Sequence, residues 1–215
     1  LSPRGEYELT DAINLFVKDF KFEAIKLDNF LLDITYPWDI LNANVYFLDN
    51  LKENIIEGEI EEGAKIHGKI VLGKGSKIKS GVYIEGNVYI GENCNIGPNC
   101  YIRGNTVIGN NCHIGNACEI KNCSIGDNTN VAHLSYFGDS ILGDNINIGA
   151  GSITANLRHD SSNIKTMIKG ELIDTGFKKL GVIIGDNSKI AINTMFYPGR
   201  ILPSNSFTIP GEIIK

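Results

Sequence analysis

The chain has 215 residues, 42% hydrophobic and 21% charged, with a formal net charge of −5. That length carries one large domain or a domain with an appendage, and the hydrophobic share suffices for a packed core. The acidic balance argues against a general nucleic-acid binder, and no apolar run approaches the ~20 residues of a membrane span.

The opening stretch, LSPRGEYELTDAINLF, has no initiator Met and is not a signal peptide; it reads as the middle of a longer chain. Residues 8–19, ELTDAINLFVKD, have helical periodicity with acidic residues near the start. FKFEAIKL (20–27) and FLLDIT (30–35) read as two strands around an Asp-Asn turn. PWDILNANVYFLDNLKE (37–53) reads as a second helix, with Pro37 tolerated in its first turn. These elements make a small α+β segment over 1–53.

From Ile60 the texture changes. Apolar residues recur every six positions, at Ile66, Leu72, Ile78, Ile84, Ile90, Ile96, Ile102, Ile108, Ile114 and Ile120. No α-helix or coiled coil has that period, whereas a solenoid does, because each unit buries its apolar face only against its neighbours. Gly often follows the apolar residue (Gly91, Gly97, Gly109, Gly115), and Asn stands three after it (Asn93, Asn99, Asn105, Asn111). Both residue types turn tight corners at least cost. Each hexad is therefore one short strand and one corner, and three hexads close an 18-residue triangular coil. Coils should stack at roughly 4.8 Å, the strand spacing. The register slips by one residue at Ile125 and Leu142, and the beat returns at Ile148, Ile184 and Ile190. Cys94, Cys100, Cys112 and Cys118 share the small-residue position of the hexad and should point inward as buried, reduced thiols. They lack the C-x2-C spacing of zinc sites, and with no secretory signal five cysteines fit a reducing, cytoplasmic setting.

Residues 154–181 contain no hexads and carry Arg158, Lys165, Lys169, Lys178 and Lys179. A long interruption of a compact repeat is often functional. This one could contact anionic phosphates or be a solvated excursion; charge alone does not separate the two. Most lone histidines in a repeat are surface residues, and His67 and His113 fit that reading. His133 differs: it stands three before Tyr136, beside the register slips and about one coil before the loop. A neutral imidazole can take a proton from an amine nucleophile, which suits acyl transfer.

The pattern [Ile/Leu/Val]-Gly-x-x-[small]-x over 60–153 and 182–208 resembles the hexapeptide-repeat family. That resemblance implies a mainly β fold, a left-handed parallel β-helix, usually trimeric. AHLSYFGDSILGDNINIGAGSITAN (132–156) looks like the signature of the glucosamine-1-phosphate acetyltransferase half of the bifunctional enzymes that make UDP-N-acetylglucosamine. SPRGEYELTDAI (2–13) is similar to the end of the nucleotidylyltransferase domain in the same enzymes, and KKLGVIIGDNSK (178–189) is closest to their archaeal type. The implied organisation is a nucleotidylyltransferase remnant with linker helix over 1–53 and an acetyltransferase β-helix over 54–215, with the inserted loop at 154–181. Carried across residue by residue, His133 matches the catalytic base, and Tyr136 and Asn147 match residues that hold the sugar. Arg103 and Lys121 match basic residues of the sugar-phosphate pocket. Ala150 lies where a backbone amide meets acetyl-CoA, Asn156 matches a residue near the thioester, and Lys165 matches a loop lysine tied to activity. The coenzyme segment departs from the family pattern, reading IAINT at 190–194.

The implied activity is acetyl transfer from acetyl-CoA, as co-substrate, to the amine of glucosamine 1-phosphate, with galactosamine 1-phosphate left open, in a homotrimer with no nucleic-acid or membrane partner. Uridylyl transfer and its Mg would belong to a nucleotidylyltransferase domain that this stretch does not contain. Two other readings exist. One is a non-catalytic β-helix that trimerises a sugar-nucleotide pyrophosphorylase, which needs neither the His–Tyr pair nor the basic loop. The other is a hexapeptide-fold carbonic anhydrase, for which His113 and His133 sit at hexad positions that should not converge on one metal.

Overall fold

The structure is a computed structural model that describes residues 2–3, 5–26 and 32–215. The chain divides into two compact units, Leu1–Asp33 and Ile34–Lys215.

In the first unit, helix α1 spans Leu9–Phe16, shorter at both ends than the sequence pattern suggested. The expected strand pair is a correction: residues 20–26 and 32–35 carry no strand, and residues 27–31 lie outside the described residues. A two-stranded hairpin is marginal in water unless a further layer covers its apolar face. Here Phe20, Phe22 and Ile25 remain exposed.

The second unit begins at Ile34, twenty positions before the boundary drawn from the repeat, because a helix packs onto the solenoid. Helix α2 spans Asp39–Asp49. The Asp39 carboxylate accepts from the backbone N–H groups of Thr35 (3.0 Å) and Tyr36 (2.8 Å), which fixes the entry to the helix. Trp38 and Leu41 are buried in one cluster with Ile141, Ile164, Leu180 and Ile183, so helix, solenoid and inserted segment share a small core.

The solenoid has three faces, two of eight strands and one of seven, all parallel, visited in rotation. The first face runs from Ile55–Ile56 to Arg200–Leu202, the second from Glu59–Ile60 to Lys189–Ile190, and the third from Lys65–His67 to Ile213–Ile214. Nine beat residues, from Leu72 to Ile120, point inward at 0% exposure. Ile60 and Ile66 are only partly buried because they belong to the terminal coil. All five cysteines are free and buried in the same core.

Three of the four Asn corners expected from the sequence hold. Asn93, Asn99 and Asn111 take left-handed φ values of 54°, 49° and 55°, whereas at the Asn105 corner Gly104 takes it instead, at 70°. The register slips have a single location. Pairing steps from Ile90↔Ile108, eighteen apart, to Ile108↔Ile125 and Ile125↔Leu142, each seventeen apart. Both missing residues are lost at the corner joining the third face to the first, where Asn122 (φ 52°) and Asp139 (φ 51°) stack one coil apart. At this same corner of the next coil the chain leaves the prism after Thr154 and rejoins it at Val182. The insertion is more ordered than a loop: Lys165–Ile168 and Glu171–Asp174 form an antiparallel hairpin. Its two-residue turn, Lys169-Gly170, has φ of 49° and 86°, the sign a tight hairpin turn requires.

Candidate functional site

The third face carries two columns of outward side chains set by strand register. Tyr101, Glu119, Tyr136 and Ile153 stand in one, and Arg103, Lys121 and Gly138 in the other. The Arg103 guanidinium is held by Glu119, through Nε at 2.8 Å and a terminal nitrogen at 2.7 Å, and lies 5.5 Å from the Tyr101 ring centroid. That bond to Glu119 raises its affinity for its proton further. One coil on, the Lys121 ammonium meets both carboxylate oxygens of Asp139, at 3.0 and 2.8 Å. Asp139 is almost fully buried at 4% exposure, and its left-handed backbone turns the carboxylate back over the face.

Two amides complete this cluster. Asn122 Nδ2 donates to Asp139 Oδ1 at 3.0 Å. Asn156 Nδ2 donates to Asp139 Oδ2 and also to the Tyr136 hydroxyl at 3.2 Å. Burial first, then the carboxylates of Asp139 and Glu119, push the Tyr136 phenol above its usual pKa, so it stays protonated near neutral pH. Gly138 makes room for this arrangement. A Cβ there would lie 2.3 Å from the Tyr136 hydroxyl oxygen and 2.7 Å from Asn156 Nδ2. Gly138→Ala is therefore expected to disorder Tyr136 and Asn156 and cut activity, with a smaller effect on the melting temperature than on turnover; parallel assays and melts check this.

His133 ends the second-face strand Asn130–His133 and is exposed at the corner leading to the third face, with Leu134 (φ 47°) turning the chain. Ala150 lies just past Ile148 near that corner one coil on, and is partly exposed. Asn147 is exposed on the second face, paired between Asn130 and Lys189. Lys165 is exposed at the start of the hairpin and lines a cavity of about 460 Å³ together with Leu157, Arg158, Tyr197 and Arg200. Arg158 is taken up by Asp160, while the Arg200 Nε is buried with no hydrogen-bond partner among the described residues.

The sequence-derived residues thus fall into groups. Arg103, Lys121, Tyr136 and Asn156 share the third face and its far corner. His133 and Ala150 lie at the near corner, Asn147 lies around that corner on another face, and Lys165 sits on the hairpin of the insertion. Sequence reasoning missed Glu119, Asp139 and Arg200. Glu119 follows from register, which stacks it on Tyr101 and diagonal to Arg103; Asp139 does not, because it sits in a corner. Among the described residues no group of three or more His, Cys, Asp or Glu side chains could hold a metal ion.

The profile of the GMPPB C-terminal domain family matches residues 84–209, the solenoid and its insertion. The chain belongs to this family. Among curated relatives, the bifunctional protein GlmU of Methanococcus maripaludis (strain C7) is 53% identical over 205 residues, 95% of this chain and 49% of that one. The bifunctional sugar-1-phosphate nucleotidylyltransferase/acetyltransferase of Sulfurisphaera tokodaii is 41% identical over 215 residues, 100% of this chain and 54% of that one. The chain spans about half the length of the curated relatives it matches, and the match falls in their C-terminal part. Among solved structures, the UDP-N-acetylglucosamine acyltransferase of Francisella novicida aligns with a TM-score of 0.45 and 18% identity over 75% of this chain and 60% of that one.

Proposed function

We propose that the solenoid transfers the acetyl group of acetyl-CoA to the amine of a hexosamine 1-phosphate, with glucosamine 1-phosphate the first candidate and galactosamine 1-phosphate the second. The observation that carries this reading is the third-face cluster: a protonated phenol, an amide and two cations held in fixed geometry, one corner away from an exposed imidazole. In the reaction the amine nitrogen attacks the thioester carbon, the C–S bond breaks, coenzyme A leaves as its thiolate, and the proton lost from nitrogen passes to His133. Tyr136 and Asn147 hold the sugar, Arg103 and Lys121 meet its phosphate, and the Ala150 backbone amide faces the acetyl-CoA. Guanidinium and ammonium groups both suit a phosphate.

Arg103 and Lys121 are each already matched by a carboxylate, so this pair alone offers a dianion little net charge. Lys165 and Arg200, which make no ion pair among the described residues, supply the missing positive field at the cavity under the insertion. Asn147 and Tyr136 point from different faces, and a flat solenoid face is a shallow binding surface. The reading therefore includes a homotrimer in which a neighbouring subunit supplies the second wall. Sedimentation should show a trimer; a fully active monomer would remove this part of the reading.

Thiol release from acetyl-CoA tests the activity, with glucosamine 1-phosphate, galactosamine 1-phosphate and free glucosamine compared. Release with either phosphate and little with free glucosamine is expected. No release with any of them would leave the domain as a trimerising module of a longer enzyme, which in the proposal also carries uridylyl transfer.

Lys121→Ala should raise KM for the sugar phosphate more than it lowers kcat, because the charge is present in ground and transition states alike. It should also lower the melting temperature, since it strips the buried Asp139 carboxylate of its counter-ion. Steady-state kinetics and a thermal melt check both effects.

A further inference from the structure

We propose that Asp139 is a positioning residue of this site: its carboxylate locks the Asn156 side chain with the amide oxygen, not the NH2 group, turned toward the substrate amine. This rests on the acetyl-transfer reading and sharpens the role the resemblance suggested for Asn156, from a residue near the thioester to one that accepts from the nucleophile.

The geometry leaves little choice. An ionised carboxylate only accepts hydrogen bonds, so every group against Asp139 must present a donor. Three do: the Lys121 ammonium, Asn122 Nδ2 and Asn156 Nδ2. The second hydrogen of Asn156 Nδ2 goes to the Tyr136 hydroxyl oxygen at 3.2 Å. Both of its N–H bonds are then used, and its amide oxygen makes no hydrogen bond among the described residues. The Asn156 main chain is pinned separately, its carbonyl accepting from the Leu180 N–H at 3.0 Å as the insertion returns. Orientation of an amide is usually ambiguous from heavy atoms alone, but a carboxylate contact resolves it.

An acceptor here fits the chemistry. As the C–N bond forms, the amine nitrogen becomes positive and its remaining N–H bonds become stronger donors. A fixed acceptor therefore stabilises the transition state more than the bound ground state. With one N–H held by Asn156 and another facing the base, the lone pair is left for the thioester carbon.

Asp139→Asn isolates the effect. Asparagine tolerates the left-handed corner, as Asn122 shows at the same corner one coil earlier with a φ of 52°. The substitution replaces one of two acceptor atoms by a donor, against three incoming donors. Either the Asn156 amide flips or a donor is stranded. The expected result is a fall in kcat of about ten- to a hundredfold, the scale of a hydrogen bond to a charged group, with KM for glucosamine 1-phosphate within about threefold. In an Asn156→Ala background the same change should cost less than about twofold, because the group through which Asp139 acts is gone. The assigned Asn156 side-chain amide resonances should shift in Asp139→Asn, a readout that needs no turnover. Unchanged kcat, an equal loss in both backgrounds, or unmoved amide resonances in a folded variant would overturn the proposal. Absence of any thiol release by the wild-type protein would instead overturn the acetyl-transfer reading, and the resonances would still decide how Asp139 sets the amide.

Discussion

His133→Ala should lower kcat by about 10²–10⁴-fold while leaving the solenoid folded, the loss expected when a positioned general base is removed. The structural half of this expectation follows from where the residue stands. His133 is exposed at the end of a strand, and its imidazole makes no hydrogen bond among the described residues, so the core one position pair away, at Val131, should lose nothing. The next residue, Leu134, takes the left-handed corner, which leaves His133 itself in extended backbone that alanine also adopts. The chemical half follows from the nucleophile. An ammonium has no lone pair, so the amine must shed a proton before or during attack on the thioester. Without the imidazole that proton goes to water, and the rate should rise with pH as more of the bound amine is already neutral. Substrate affinity should change little, since the cations and the phenol that hold the sugar phosphate are one corner away. Initial rates from pH 6 to 9, with binding measured separately, check this; near-normal turnover at neutral pH would place the base elsewhere.

The repeat made most of the architecture legible. Strict six-residue spacing of Ile and Leu can be satisfied only by short strands of one length, so three faces, inward cysteines and the position of the insertion all follow from it. The site was legible in part, and for a physical reason. Residues that stand in strands, such as Arg103, Lys121 and Tyr136, inherit their neighbours from register and could be placed. Asp139 could not, because it sits in a corner shortened by one residue, and the direction of a corner side chain depends on a backbone conformation that spacing does not reveal. The same holds for Lys165 and Arg200, which meet across a cavity only because the insertion folds into a hairpin instead of remaining a loop. The strand reading failed at the described residues, 20–26 and 32–35, for the opposite reason: the sequence alternates well enough for a hairpin, but local pattern does not supply the layer that would bury it.

Phe137→Ala should destabilise the domain by about 3–5 kcal/mol, the range for deleting a fully buried aromatic side chain. Phe137 has 0% exposure and stands where the preceding coils of the third face place isoleucine, with Ile120 paired directly before it. Its ring lies 6.3 Å from that of Phe196 at an angle of 49°, so the two fill the interior across the coil from which the insertion departs. Alanine would open a cavity that neighbouring coils cannot close, because each is held to its fixed spacing by the ladder of backbone hydrogen bonds. In a solenoid each coil is stabilised by its neighbours alone, so the damage should be directional. Amide exchange should rise most in the strands around Val182–Ile184 and Met195–Phe196, which have few coils beyond them. Strands from Ile70–Leu72 to Thr106–Ile108, backed by intact coils on both sides, should keep most of their protection. Turnover should fall as well, since Tyr136 and Gly138 flank the lost ring on the same strand. A uniform rise in exchange from one end of the prism to the other would show instead that the domain melts as a single cooperative unit, its coils coupled more tightly than nearest-neighbour stacking provides.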